Sequence, residues 1–157
     1  MTAIEHMTTQ VRPALPEDAM GISQVIVRSL RESNAKDYSA EIIARIETNF
    51  SPEAVEKLIA HRWVFVAIHD RRIVGTASLD GHAVRTVFVA PEVQSRGIGR
   101  QLMAVVEQAA QEKRVAVLSV PSSITAEPFY ARLGFKPVRD CFHGDERTII
   151  MERNLAA

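Results

Sequence analysis

The 157-residue sequence has one cysteine, Cys141, so it can form no intrachain disulfide and offers no thiolate-rich metal site. Both facts fit a reducing compartment such as the cytoplasm. An excess of either charge is also missing, since Lys plus Arg and Asp plus Glu each number 19. Proteins that neutralise phosphates normally carry a cationic surplus, so the balance argues against nucleic acid as the main partner, although a local basic patch would not alter the total. No apolar run approaches the roughly 20 residues needed to span a bilayer. The opening MTAIEHMTTQ lacks the basic start and apolar stretch of a secretory signal. The expectation is a cytoplasmic protein with no membrane partner. Met7 is a candidate native start, with residues 1–6 as a flexible leader.

What is present is ordinary for a globular protein: 46% hydrophobic and 24% charged residues, in a chain long enough for one core. No repeat, linker or low-complexity stretch divides it, so a single domain is expected over residues 7–155.

The pattern of elements is informative. A short strand at Val11 ends at Arg12-Pro13, and Pro16-Glu17-Asp18 then supplies a helix start. Ile22, Val25, Ile26, Ser29 and Leu30 follow at helical spacing, to about Arg31. Ser33–Tyr38 is polar and reads as a loop. Ser39 and Ser51-Pro52-Glu53 announce two further helices. From Trp63 the texture becomes β-rich. Trp63–Ile68, Ile73–Leu79 and Ala83–Val89 are joined by His69-Asp70-Arg71-Arg72 and by Asp80-Gly81, which predicts an antiparallel meander. Trp63 opens an apolar strand and is expected in the core. Beyond Pro91, Ile98, Leu102, Val105 and Ala109 mark an amphipathic helix ending near Lys113 and Arg114. Val115–Val120 reads as a strand buried on both faces. A last helix closes at Leu133-Gly134, where glycine suits a left-handed cap. Phe135–Phe142 and Arg147–Met151 are predicted to pair as a hairpin through His143-Gly144-Asp145.

One segment carries chemistry. In Val87-Phe88-Val89-Ala90-Pro91-Glu92-Val93-Gln94-Ser95-Arg96-Gly97-Ile98-Gly99-Arg100 a glycine-containing loop joins a strand directly to a long helix. Backbone N–H groups at a helix start lack internal partners, and the dipole adds partial positive charge, so such a place suits a phosphate. Gly97 and Gly99 would let a pyrophosphate approach the backbone, with Arg96 and Arg100 at the rim. A Gly-x-Gly after a strand is also simply a tight turn. The dinucleotide fingerprint fails, because Leu102 stands where its third glycine belongs.

Taken whole, Gln94-x-x-Gly97-x-Gly99 after a strand and Pro-Glu resembles the acyl-CoA-binding motif of the GNAT (GCN5-related N-acetyltransferase) superfamily. Phe129-Tyr130-Ala131-Arg132-Leu133-Gly134-Phe135 is similar to that family's second hallmark, and the order of elements matches over nearly the whole chain. The resemblance implies a mixed α/β fold: a mostly antiparallel sheet of six to seven strands flanked by helices, with one parallel pair at the cofactor cleft. It implies an N-acetyltransferase that moves an acetyl group from acetyl-CoA to a primary amine, on a small molecule or a peptide, by direct attack on the thioester. A homodimer, often formed through the terminal strands, is common among similar proteins.

The resemblance also implies site residues. The strand before the motif bulges and splays from its parallel neighbour, and the pantetheine arm pairs with backbone at Phe88 and Val89. The pyrophosphate sits on amides from Gln94, Ser95, Arg96, Gly97, Ile98 and Gly99 to Arg100. Tyr130 matches the tyrosine near the cofactor sulfur, where a phenol can assist the departing thiolate; its alternative is packing. Ser123 stands where many members have an asparagine near the pantetheine, and it equally suits a helix cap. The general base is open. No glutamate lies between Trp63 and Val89, which leaves Asp80 and His82, with Ser119 to support a water chain. His82 has the most useful ordinary pKa but sits beside a turn. Asp37, Tyr38 and Glu127 attract a cationic amine if they face the cleft, and are otherwise surface residues. His6, His61, His69 and His143 show no metal-ligand spacing. The alternatives are a non-catalytic acyl-CoA-binding module and, less compatible with the motif, an unrelated nucleotide-binding domain.

Overall fold

The computed structural model describes residues 8–32, 38–144 and 146–155. The leader, Met7, Asp37 and Asp145 lie outside the described residues. Seven strands form one sheet in the order β1-β2-β3-β4-β5-β7-β6. They are β1 Thr9–Pro13, β2 Trp63–His69, β3 Arg72–Asp80, β4 Ala83–Val89, β5 Val117–Ser122, β6 Lys136–His143 and β7 Glu146–Asn154. The helices are α1 Ala19–Glu32, α2 Ala40–Thr48, α3 Pro52–His61, α4 Ile98–Glu112 and α5 Glu127–Arg132. No helix among the described residues is long and apolar enough to cross a membrane.

Local chemistry explains these boundaries. Pro16–Asp18 forms a 3-10 turn leading into α1. The Asp18 carboxylate accepts from the Leu15 amide at 2.7 Å and takes the Arg12 guanidinium at 2.8 and 3.1 Å, which ties the end of β1 to the helix start. That guanidinium holds the carboxyl below its usual pKa. Ser39 and Ser51 cap α2 and α3, accepting from the amides of Ile42 and Ala54. Asp70 and Arg71 both have positive φ, as a two-residue turn of this hand requires, and β2 and β3 close on each other at His69 and Arg72.

The sheet separates two apolar layers. On β2, Val64 and Val66 pack with Ile22, Ile26 and Leu30 of α1, while Phe65 and Ala67 pack with Leu102 and Val106 of α4. The five positions singled out on the first helix are all buried. At Gly75 a Cβ would stand 3.0 Å from Leu102 Cδ1 and 3.2 Å from the Phe88 carbonyl, so a side chain there would crowd α4 and β4.

Two expectations need correction. Trp63 is 56% exposed, with the Lys113 ammonium 3.6 Å above its ring. It begins β2 where the covering layer of α4 has ended. The fifth strand starts at Val117 because the Val115 amide is used in closing α4, bonding the Ala110 carbonyl. Nor is that strand buried on both faces. Leu118, Val120 and Ser122 are buried, while Val117 is exposed and Ser119 and Pro121 are partly so.

Candidate active site

β4 and β5 are the only parallel neighbours among the described strands, and they touch at one register point, Ala83 opposite Ser119. The Ser119 amide bonds the His82 carbonyl at 2.9 Å, and beyond it the strands separate. The cause of the separation lies in β4. Ser78 is opposite Arg85 and Thr76 opposite Phe88, so two residues of β4, Thr86 and Val87, face one of β3. Thr86 takes φ 57°, an uncommon conformation for a β-branched residue. This bulge bends β4 away from β5 and opens a fork in the sheet.

A cavity of about 260 Å³ fills the fork. Leu30, Ile46 and Phe50 wall it on one side, and Val120, Ala126 and Tyr130 on the other. Tyr130 stands in α5, buried, with Phe129 and Phe135 in edge contact at 5.0 and 5.8 Å. Burial pushes its phenol pKa up from the ordinary value, so the hydroxyl stays protonated and can only donate to an incoming anion. The turn after α5 is held by the Phe135 amide on the Tyr130 carbonyl and by Gly134 at φ 96°.

At the end of β4 a 3-10 turn, Pro91–Val93, leads to the start of α4. The Gln94 amide bonds Pro91 within that turn, and the first helical bond is made by Gln101 to Gly97. The amides from Ser95 to Arg100 therefore point outward without helical partners. Ser95 and Gly97 have positive φ, which turns successive N–H groups the same way. At Gly97 a Cβ would meet nothing within 4 Å, so the backbone lies open to a ligand. At Gly99 it would meet the Phe129 ring at 3.1 Å. A side chain at Gly99 would thus crowd the Phe129 ring, which adds a packing reason for glycine at this position.

The predicted residues divide accordingly. Ser95, Arg96, Gly97, Ile98, Gly99 and Arg100 share the α4 N-terminus, with Arg96 and Arg100 exposed and the Ile98 side chain in the core. Gln94 is committed elsewhere: its amide serves the turn, and its side chain donates to the Val89 carbonyl at 3.1 Å. That carbonyl also accepts from Ser29 at 2.9 Å, so the backbone of Val89 is less free than expected. Phe88 lines the cleft. Ser123 lines it too, while its hydroxyl accepts from the Ala126 amide at 3.1 Å, which closes the turn before α5 and is not a cap of that helix. Tyr38 lines the cleft as well.

His82 is not brought to Tyr130. It is exposed in the β3–β4 turn and lines a second cavity of about 630 Å³ on the uncovered face of β5, β7 and β6, as does Ser119. Asp80 is engaged by Arg62 and Arg85. One residue that the sequence did not single out is Glu146, at the start of β7. It lines both cavities and is the only carboxylate among the described residues lining the cleft. Glu146 stands on β7, the strand paired with β5, outside the meander.

Residues 34–150 match the acetyltransferase (GNAT) domain. An uncharacterised N-acetyltransferase of Escherichia coli (strain K12), YafP, is 31% identical over 130 residues, covering 83% of each chain. Among solved structures, a GCN5-related N-acetyltransferase of Rhodopseudomonas palustris superposes with a TM-score of 0.88 at 25% identity, covering 94% of this chain and 96% of that one. The PaiA N-acetyltransferase of Thermoplasma acidophilum, solved with coenzyme A, gives 0.82 at 22% identity, covering 94% and 99%.

Proposed function

Since this chain belongs to the GNAT acetyltransferase family, we propose that its forked sheet brings the acetyl group of acetyl-CoA to a primary amine for direct transfer. The observation that carries the reading is the fork itself: one parallel contact at Ala83 and Ser119, then a gap ending beneath a row of free amides. The amides of Ser95 to Arg100, with Arg96 and Arg100 beside them, suit the pyrophosphate. The gap between β4 and β5 suits a narrow acyl-bearing arm, with Phe88 and Ser123 on its walls.

Acetyl-CoA supplies an activated thioester, whose C–S bond opens, leaving the electron pair on sulfur, as the amine nitrogen bonds the carbonyl carbon. Tyr130 serves that leaving sulfur. A phenol kept protonated by burial donates a hydrogen bond to a thiolate forming within reach. Its packing against Phe129 and Phe135 and its chemical role are compatible, because the rings fix where the hydroxyl points. The exposed Val138 and Phe142 of β6 support association of two copies along that edge.

Calorimetric titration with acetyl-CoA, against free CoA and NADH, tests the reading. Saturable acetyl-CoA binding that disappears in Gly97→Asp is expected, since aspartate at φ 81° is strained and brings negative charge to the phosphate position. Absence of binding by the folded wild-type protein would sink it.

A further inference from the structure

Three cavities meet at Arg85 and Pro121: the cleft, the open cavity beside β7, and a third of about 320 Å³ between α3 and β4. Arg85 is the only cation among the described residues lining the cleft, as Glu146 is the only anion. Both also line the open cavity, so the two charges stand at its passage into the cleft.

The charge balance around Arg85 is uneven. Its Nε lies 3.5 Å from Asp80 Oδ2, and the Nε of Arg62 lies 3.7 Å from the same oxygen. One half-exposed carboxylate thus serves two guanidiniums. Burial and the repulsion of Arg85 both lower the Arg62 pKa against the pull of Asp80, as two cations sharing one anion should. Farther out, Arg139 of β6 faces the open cavity with no ion pair among the described residues. His82, Cys141 and His143 complete its titratable lining. Counting Arg62, there are three guanidiniums against the carboxylates of Asp80 and Glu146. Glu146 forms no ion pair among the described residues, so a cation can join it there, while the surplus near Arg85 calls for an anion.

Resting on the transfer reading above, we infer that the acceptor is an amine that also carries an anionic group, a carboxylate in the simplest case. It enters through the open cavity, its nitrogen at Glu146 and its anion on Arg85, with Arg139 in reach of longer acceptors. The planar guanidinium of Arg85 suits a carboxylate in two parallel bonds. Glu146 takes the proton that the ammonium must lose, directly or through water, which frees the lone pair that bonds the acyl carbon. That proton passes to solvent, the nitrogen sheds its second proton the same way once it has bonded carbon, and the departing thiolate, hydrogen-bonded by Tyr130, takes one proton back from solvent. A diamine has nothing for Arg85 and meets the surplus positive charge.

Matched acceptors decide the matter without altering the protein. The rate of CoA release at saturating acetyl-CoA is measured with α-amino acids and dipeptides, and with their carboxamides. A charge-assisted contact makes kcat/KM about 10- to 100-fold higher for the acid of each pair. Arg85→Gln should bring that ratio close to one, and Arg85→Lys should restore part of it. Glu146→Gln should lower kcat for acid and amide alike, with acetyl-CoA binding by calorimetry retained. Equal kcat/KM for acids and carboxamides in the wild type, or transfer to simple diamines alone, would overturn this inference and leave acetyl transfer standing. Acetyl-CoA bound with no transfer to any amine would overturn both.

Discussion

The two halves of the sheet are made from similar strands and treated differently. β2 and β3 lie between α1 and α4, with apolar side chains buried on both faces. β5, β7 and β6 carry helices on one face only, and β6 is exposed along almost its whole length. The first half has the construction of a core. The second keeps a face open beside the fork, where the proposed acceptor would come and go. Both faces are covered in one half and one face is open in the other, and the join between them is a single parallel contact, where the transfer is proposed.

That contrast can be broken at the join. Tyr130→Phe keeps the ring and its contacts with Phe129 and Phe135 but removes the donor. Turnover should fall roughly 10²- to 10⁴-fold with acetyl-CoA affinity retained. A turnover equal to wild type would make Tyr130 a packing residue, and the join a purely structural seam.

The contrast can be sharpened on one strand. Leu118 of β5 is fully buried, and its neighbour Val117 points to the open face, 39% exposed. Leu118→Ala should cost about 2–5 kcal/mol in urea denaturation, and Val117→Ala within about 0.5 kcal/mol. Similar costs at both positions would mean that the second face is covered in solution.

The smallest effect belongs to the covered half. The Asp18 carboxyl, held by Arg12 and the Leu15 amide, has a folded pKa below its unfolded value. Its stabilisation is full above the unfolded pKa, about 3.9, and is lost as pH falls through the folded pKa. Because Arg12 is substantially solvent-exposed, Asp18→Asn should cost only about 1 kcal/mol at neutral pH and flatten the decline of stability in acid. An unchanged acid profile would assign that decline to other carboxylates.

Much of this architecture was legible in the sequence because its signals are local. Ser39, Ser51, Pro52, Asp70 and Gly134 each act within a few residues, and the α1 stripe repeats at helical spacing. The bulge of β4 was expected from the family resemblance that the contiguous Gln94–Gly99 motif carries, and the same motif marked the start of α4 as the place proposed for phosphate. Exposure of Trp63 was not legible, since it depends on where α4, far along the chain, happens to end. Nor was Glu146, which comes near Arg85 only because β7 pairs with β5, a partnership no short window contains. Gly99 was read as making room for a ligand, and its crowding by Phe129, thirty positions later, was not legible.

The position of β7 has a consequence for the protein's birth. Synthesis delivers β5 and β6 before the strand that lies between them, and Ile149 and Met151 of that strand fill the core under α4 and α5. A nascent chain that has emerged only through His143 therefore holds two strands with nothing to join them. The covered half can fold as it leaves the ribosome. The working half cannot close until Glu146–Asn154 has followed, so the strand that brings the cleft its one described carboxylate also brings its closure.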